Sequence, residues 1–260
     1  LMHHGDIYRL SPDYRTAEDK VLNGLKGGGE SPAMFHKDSL YYLFASNLTS
    51  WERNDNYYFT APSIEGPWTR QGLFCPEGTL TYNSQSTFIF PLHRGDSIVY
   101  MYMGDRWSYP HQASSATYVW LPLQVDGPKL SIPEYWPVWN PQTLKPVTEL
   151  GGESTKVAFR SDKKGDKLVF PFKGKRVAVI GHTFHNGGYA VVRILDAEGT
   201  SIYSNMIDFY SKVAENGIRF VSPLLSEGEY TLEVECIGEH PHWYNKRGDY
   251  FGSREDWVQV

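Results

Sequence analysis

No stretch of this 260-residue chain carries a convincing helix of ten residues, and that fact decides its class. In place of helices stand short runs rich in Tyr, Phe, Val and Ile, each bounded by Gly, Pro, Asn or Asp. That is the pattern of β-strands joined by tight turns. Residues 40–45, 56–61, 86–91, 97–103 and 117–125 are predicted strands. His36-Lys37-Asp38, Ile64-Glu65-Gly66-Pro67 and His93-Arg94-Gly95-Asp96 are predicted turns between them. The expectation is an all-β protein.

The first half has a loose rhythm of two four-stranded units, each of about 45 residues, as propeller blades have. Prolines 133, 137, 141 and 146 then punctuate the chain like a linker or a strap. Six of the eight tryptophans precede residue 140. Beyond the strap the alternation is cleaner. Residues 167–172, 176–180, 189–196, 218–221 and 229–237 read as strands of an antiparallel β-sandwich, jelly-roll-like in kind. The expected domains are residues 1–145, part of a propeller, and 146–260, an accessory sandwich.

Composition narrows the function. A hydrophobic fraction of 40% and a charged fraction of 21% are those of a soluble globular protein. A net charge of −5 and the lack of a basic stripe exclude nucleic acid as an expected partner. No apolar run reaches membrane-spanning length. Cys75 and Cys236 lie far apart without CxxC spacing and read as core residues. His3, His4, His36, His93 and His111 show no metal-ligand spacing, so neither a metal nor a cofactor is expected. The aromatic fraction of 15% is high. Rings stack on the apolar faces of sugars, and they also fill β-cores.

One run stands out. Gly27-Gly28-Gly29-Glu30-Ser31-Pro32-Ala33-Met34-Phe35 sets a carboxylate between a glycine tract and a proline, just ahead of the aromatic residues 40–44. Such a turn can present an acid at the mouth of a β-scaffold, or it can be a surface loop.

The first 145 residues or so resemble glycoside hydrolase family 43, most closely its exo-β-1,3-galactanase branch. The matching motifs, in order, begin with Tyr8-Arg9-Leu10-Ser11-Pro12-Asp13-Tyr14, Glu30-Ser31-Pro32-Ala33-Met34-Phe35, Tyr41-Tyr42-Leu43-Phe44 and Thr49-Ser50-Trp51. They continue through Gly66-Pro67-Trp68, Asn83-Ser84-Gln85-Ser86-Thr87-Phe88, Gly104-Asp105-Arg106-Trp107 and Tyr118-Val119-Trp120-Leu121-Pro122-Leu123. The resemblance implies a five-bladed β-propeller and hydrolysis of glycosidic bonds with inversion. It implies Glu30 as general acid and Gln85 on the water side of the sugar, as base or as the group that holds the water. Thr49, Trp51, Asp105, Arg106 and Trp107 would line or brace the pocket; for each, blade packing is the bland alternative. A secreted or periplasmic, monomeric enzyme acting on galactose-containing plant glycans follows from the same likeness.

Three departures stand beside it. Ser31 takes the place of a common alanine, and Glu52-Arg53 that of a small residue and a proline. The family's first blade and most of its second have no counterpart, so further residues before Leu1 are expected. The second region resembles the sandwich modules that accompany such hydrolases, through Phe170-Pro171-Phe172-Lys173-Gly174-Lys175-Arg176-Val177 and the run from Leu224 to Leu232. Its segment from Glu239 to Asn245 offers aromatics for a glycan. The competing readings are a non-catalytic glycan-binding protein on a degenerate propeller and a β-rich interaction module.

Overall fold

Strands account for nearly all the regular structure in a computed structural model that describes residues 5–148 and 151–260. The all-β expectation is met. His3 and His4 lie outside the described residues.

The chain divides into two compact units, Leu1–Arg106 with Tyr118–Trp136, and Trp107–Thr117 with Pro137–Val260. In the first, β1 (Ile7–Leu10) pairs with β2 (Ala17–Leu22). A four-stranded antiparallel sheet follows, β3 (Glu30–Lys37), β4 (Leu40–Ser46), β5 (Tyr57–Ala61) and β6 (Thr69–Leu73), hydrogen-bonded in chain order. A three-stranded sheet comes next: β7 (Gln85–Arg94), β8 (Ser97–Arg106) and β9 (Thr117–Pro122). The small hairpin of β10 (Gln124–Asp126) and β11 (Lys129–Ser131) closes the unit.

Aromatic rings tie the two larger sheets together. Phe35 stacks on Tyr42 at 4.5 Å and on Tyr100 at 4.3 Å. Phe74 meets Phe44 at 5.0 Å and Tyr102 at 5.3 Å. Phe44 and Tyr102 are wholly buried, and burial pushes the Tyr102 phenol far above its ordinary pKa. Much of the aromatic surplus is therefore core, where offset and edge-on ring pairs add to plain area burial.

In the second unit β12 (Trp139–Asn140) pairs with β13 (Lys145–Pro146). β14 (Arg160–Ser161) meets the last strand, β23 (Val258–Gln259). Between them run β15 (Lys167–Gly174), β16 (Ala178–Thr183), β17 (Tyr189–Leu195), β18 (Ser201–Asp208), β19 (Glu215–Val221) and β20 (Gly228–Cys236), then the hairpin of β21 (His242–Tyr244) and β22 (Tyr250–Gly252). The main sheet has the order β15-β20-β17-β18, and β16 pairs with β19. Val179, Val192, Ile194, Phe209, Phe220 and Val234, drawn from both sheets and the turn after β18, form one apolar core. On β20, Glu233 and Glu235 lie between Lys167 of β15 and Arg193 of β17. Arg193 Nη1 is 2.5 Å from Glu235, and Lys167 Nζ is 3.4 Å from both carboxylates.

Residues 107–117 leave β8 and return to β9, yet they pack as part of the second unit. Ser108 Oγ donates to Asp208 at 2.8 Å, and the Tyr189 hydroxyl donates to the Ser108 carbonyl at 2.9 Å. Ser108, Ser115 and Tyr189 are all buried, so these bonds are sheltered from water. His111 Nε2 lies 2.8 Å from Glu239.

The strand readings are least accurate where polar residues carry a strand. Residues 36 and 37, expected in a turn, end β3, and β18 at Ser201–Asp208 was not anticipated. Its residues Ser201, Ser204 and Asn205 obscure the period-two signal. Cys75 and Cys236 are buried free thiols, as expected, and burial raises both pKa values.

Candidate active site

Glu30 is the first residue of β3 rather than part of a preceding turn. Two features fix it there. Gly29 passes so close to β4 that a Cβ would fall 1.8 Å from the Ser46 carbonyl oxygen and 2.7 Å from the Tyr57 hydroxyl. Only glycine fits such an approach. On the other side the β3–β4 ladder breaks between Glu30 and Ala33, and Ser31 takes a φ of 53°. That bulge accommodates Pro32 without a missing ladder bond and re-aims the first residue of the strand.

Gln85 is the first residue of β7 and is buried. Its Nε2 donates to Glu30 Oε1 at 3.0 Å and to Ser46 Oγ at 2.8 Å. The next residue joins the same strand heads, since Ser86 Oγ donates to the Ser31 carbonyl at 2.8 Å. Glu30 itself is half-buried. The two residues singled out by the sequence are therefore in direct contact, although 55 positions separate them.

The segment that delivers Gln85 is strained. Leu80, Thr81, Tyr82 and Asn83 all have φ between 53° and 58°, a single turn of left-handed helix built from side-chain-bearing residues. Such a conformation costs about 1–2 kcal/mol per residue and persists only where the surroundings over-determine it. Here they do. Asp55 accepts the Gly78 and Leu80 N–H groups, each at 2.8 Å. Thr81 Oγ1 accepts the Asn56 N–H at 2.7 Å, and Arg53 Nε donates to Asn83 Oδ1 at 2.9 Å. Ser84 Oγ donates to the Thr81 carbonyl at 2.6 Å, and the Tyr82 hydroxyl to the Ile132 carbonyl at 2.7 Å. Asn56, wholly buried, also accepts the Ser86 N–H at 2.8 Å.

The other candidates take distinct places. Thr49 Oγ1 donates to the Glu52 carbonyl at 2.6 Å and accepts from Asn54 Nδ2 at 2.7 Å, which braces its own loop. Trp51 is half-buried beside it. Asp105 is the register partner of Gln85 on β8 and accepts the Thr87 hydroxyl at 2.7 Å. Arg106 is buried, donates to the Tyr82 carbonyl at 3.0 Å and lies 5.1 Å from the Tyr135 ring centroid, so it supports the strained turn. Trp107 belongs to the second unit. Sequence reasoning missed Ser46, Asp55, Asn56 and Thr81. The polar run Asn54-Asp55-Asn56 was the one available signal, and burial of such a run is not visible in a sequence. Among the described residues no cluster of His, Cys, Asp or Glu could hold a metal ion.

The fold has counterparts among solved structures. The chain is similar over 98% of its length to the exo-β-1,3-galactanase from Phanerochaete chrysosporium solved with β-1,3-galactotriose, at 22% identity and a TM-score of 0.53, and covers 62% of that chain. It shares 36% identity with a Bifidobacterium bifidum S17 protein named for exo-β-1,3-galactanase activity, over 52% of this chain and 45% of that one, with a TM-score of 0.45. The exo-β-1,3-galactanase from Clostridium thermocellum matches 98% of this chain and 50% of its own at 19% identity, with a TM-score of 0.46. The chain thus spans between 45% and 62% of the length of these structures. No family model and no curated protein matches the sequence.

Proposed function

We propose that this chain carries part of the active site of an inverting glycoside hydrolase acting on β-1,3-linked, galactose-containing glycans, with Glu30 as the general acid. The observation that carries the reading is the buried Gln85 amide hydrogen-bonded at 3.0 Å to a half-buried Glu30, on a fold similar to that of β-1,3-galactan-cleaving enzymes. Glu30 protonates the glycosidic oxygen as the C1–O bond breaks, and water adds to the opposite face of an oxocarbenium-like sugar. Trp51 and Asp105 are the candidate sugar contacts, while Thr49 and Arg106 brace the loops behind them.

The larger assignments belong to the same proposal. Residues 1–145 form part of a five-bladed propeller, and 146–260 form a sandwich accessory that offers the exposed Tyr244 to glycan; Trp243, expected to be exposed beside it, is buried. An exported, monomeric enzyme fits this role. Among the described residues no helix is long and apolar enough to cross a membrane.

The test is galactose release from β-1,3-galactan by the native protein and by Glu30→Gln. Removing a general acid lowers turnover by roughly 10²–10⁴-fold while binding survives. Undiminished release by the variant removes Glu30 from the mechanism. A wild-type protein that binds galactan without cleaving it moves the assignment to a glycan-binding protein.

A further inference from the structure

We infer that the outward face of the β14–β23 pair is a binding site for a carboxylate-bearing sugar, a uronate, and that Arg160 is the residue that recognises the carboxylate. The site lies in the second unit and involves neither Glu30 nor Gln85. It therefore goes beyond the glycosidase reading and stands or falls without it.

Strand geometry assembles the site. Side chains alternate across a strand, so residues two apart share a face, and register partners stand about 4.5–5.5 Å apart at Cβ. Ser161 is paired with Val258, and both are buried. Arg160 and Gln259 are the neighbouring pair, one residue out of step, so they take the outward face together with Trp257. Arg160 is exposed, while Trp257 and Gln259 are half-buried.

Rings hold the guanidinium in place. Arg160 Cζ lies 4.5 Å from the Trp257 ring centroid and 5.9 Å from that of Phe184, the residue that follows β16. A guanidinium carried on aromatic faces keeps its in-plane fork of N–H groups open for a ligand. Among the described residues the Arg160 side chain makes no hydrogen bond and no ion pair, and the same is true of the Gln259 amide. Glu255 accepts the indole N–H of Trp257, so the acid nearest in sequence is directed at the ring's edge.

The outer face of the main sheet is balanced differently. There Lys167 and Arg193 are answered by Glu233 and Glu235, cation for anion. On β14–β23 the cation is held ready and its counterpart is not supplied by the chain. A carboxylate matches the fork through two parallel hydrogen bonds. The Gln259 amide can serve a hydroxyl beside that carboxylate, as donor or acceptor. Exposed ring surface on Trp257 and Phe184 suits the C–H face of a pyranose. A small anion would satisfy the fork and leave the rings bare; a neutral sugar would cover the rings and leave the fork unmet. A uronate uses both.

The experiment is a titration of the native protein with D-galacturonate and with D-glucuronate, followed by NMR at the indole N–H of Trp257, assigned with Trp257→Phe. A saturable shift is expected with at least one of the two, and added salt should weaken it. Galactose and acetate offer the ring and the carboxylate separately, and each should bind about tenfold more weakly or worse. Arg160→Lys keeps the charge and loses the fork, and should weaken uronate binding by about tenfold; Arg160→Ala should abolish it. If Arg160→Ala melts early, Arg160→Lys decides. No saturable shift with either uronate overturns the inference. So does galactose or acetate binding as tightly as the uronates, or wild-type affinity in Arg160→Lys. None of these readouts uses turnover, so failure of Glu30→Gln to lower galactose release would leave this result untouched.

Discussion

Asp55 holds the Leu80 N–H at 2.8 Å with one carboxylate oxygen and the Gly78 N–H at 2.8 Å with the other. A single side chain thereby anchors the entry to a left-handed turn that ends one residue before Ser84 and two before Gln85. Hydrogen bonds to a charged group contribute about 1.5–3 kcal/mol each. Asp55→Ala is expected to destabilise the first unit by about 3 kcal/mol and to depress galactan turnover with it. Asp55→Asn keeps one acceptor and should lose about half as much. Denaturant unfolding followed beside kcat checks both.

Gly29 and Gly27 differ in what they protect. A Cβ at Gly29 meets the Ser46 carbonyl oxygen at 1.8 Å, so β3 must move away from β4. Gly29→Ala should cost about 3 kcal/mol and displace Glu30, with loss of activity. Gly27 has a φ of 75° and open space around its Cα. Gly27→Ala should cost only about 1 kcal/mol of backbone strain and leave kcat unchanged. Thermal melts and galactose release on the pair of variants separate the two mechanisms.

Tyr189→Phe deletes the donor to the Ser108 carbonyl within a buried network. The stranded acceptor should lower the stability of the second unit by about 1–3 kcal/mol. Because residues 107–117 are tied through that bond, limited proteolysis should cut within them faster than in the wild type. An unchanged cleavage pattern would show that the bonds of Ser108 to Asp208, Ser115 and Gln112 suffice to secure it.

Acid should weaken the charge cluster on the main sheet of the second unit. The Arg193 hydrogen bond, with Lys167 nearby, holds the Glu235 carboxyl below its ordinary pKa. A depressed carboxylate stabilises the fold above the unfolded value of about 4.3, and that stability is lost as pH falls through the folded pKa. Glu235→Gln should therefore be less stable than wild type at pH 6, by about 0.5–1 kcal/mol for a partly exposed pair. The gap should close as pH drops below about 4. Unfolding curves of both proteins across that range measure it.

Strands such as Tyr41 to Phe44, Phe88 to Phe90 and Tyr189 to Leu195 were legible as runs of apolar, β-branched and aromatic residues rather than through alternation; β4 is buried without a break from Tyr42 to Ser46. Glu30 and Gln85 emerged from motifs in a recognisable order, but their mutual contact did not. It depends on the β3–β4 register and on a close pass at Gly29, both of which are tertiary facts. The left-handed turn was invisible for another reason. Leu, Thr and Tyr have no preference for positive φ, so nothing local announces it, and the bonds that enforce it come from residues 53–56 and 106. Arg106 shows the same limit: beside Asp105 it reads as an ion pair or a sugar contact, whereas its guanidinium reaches the Tyr82 carbonyl.

The excursion of residues 107–117 into the second unit has a consequence for how these pieces can be separated. The polypeptide crosses from one unit to the other three times, at 106/107, 117/118 and 136/137. A single scission at the proline-punctuated stretch would sever the backbone without freeing either fragment, because an eleven-residue finger of the amino-terminal piece would stay embedded in its neighbour.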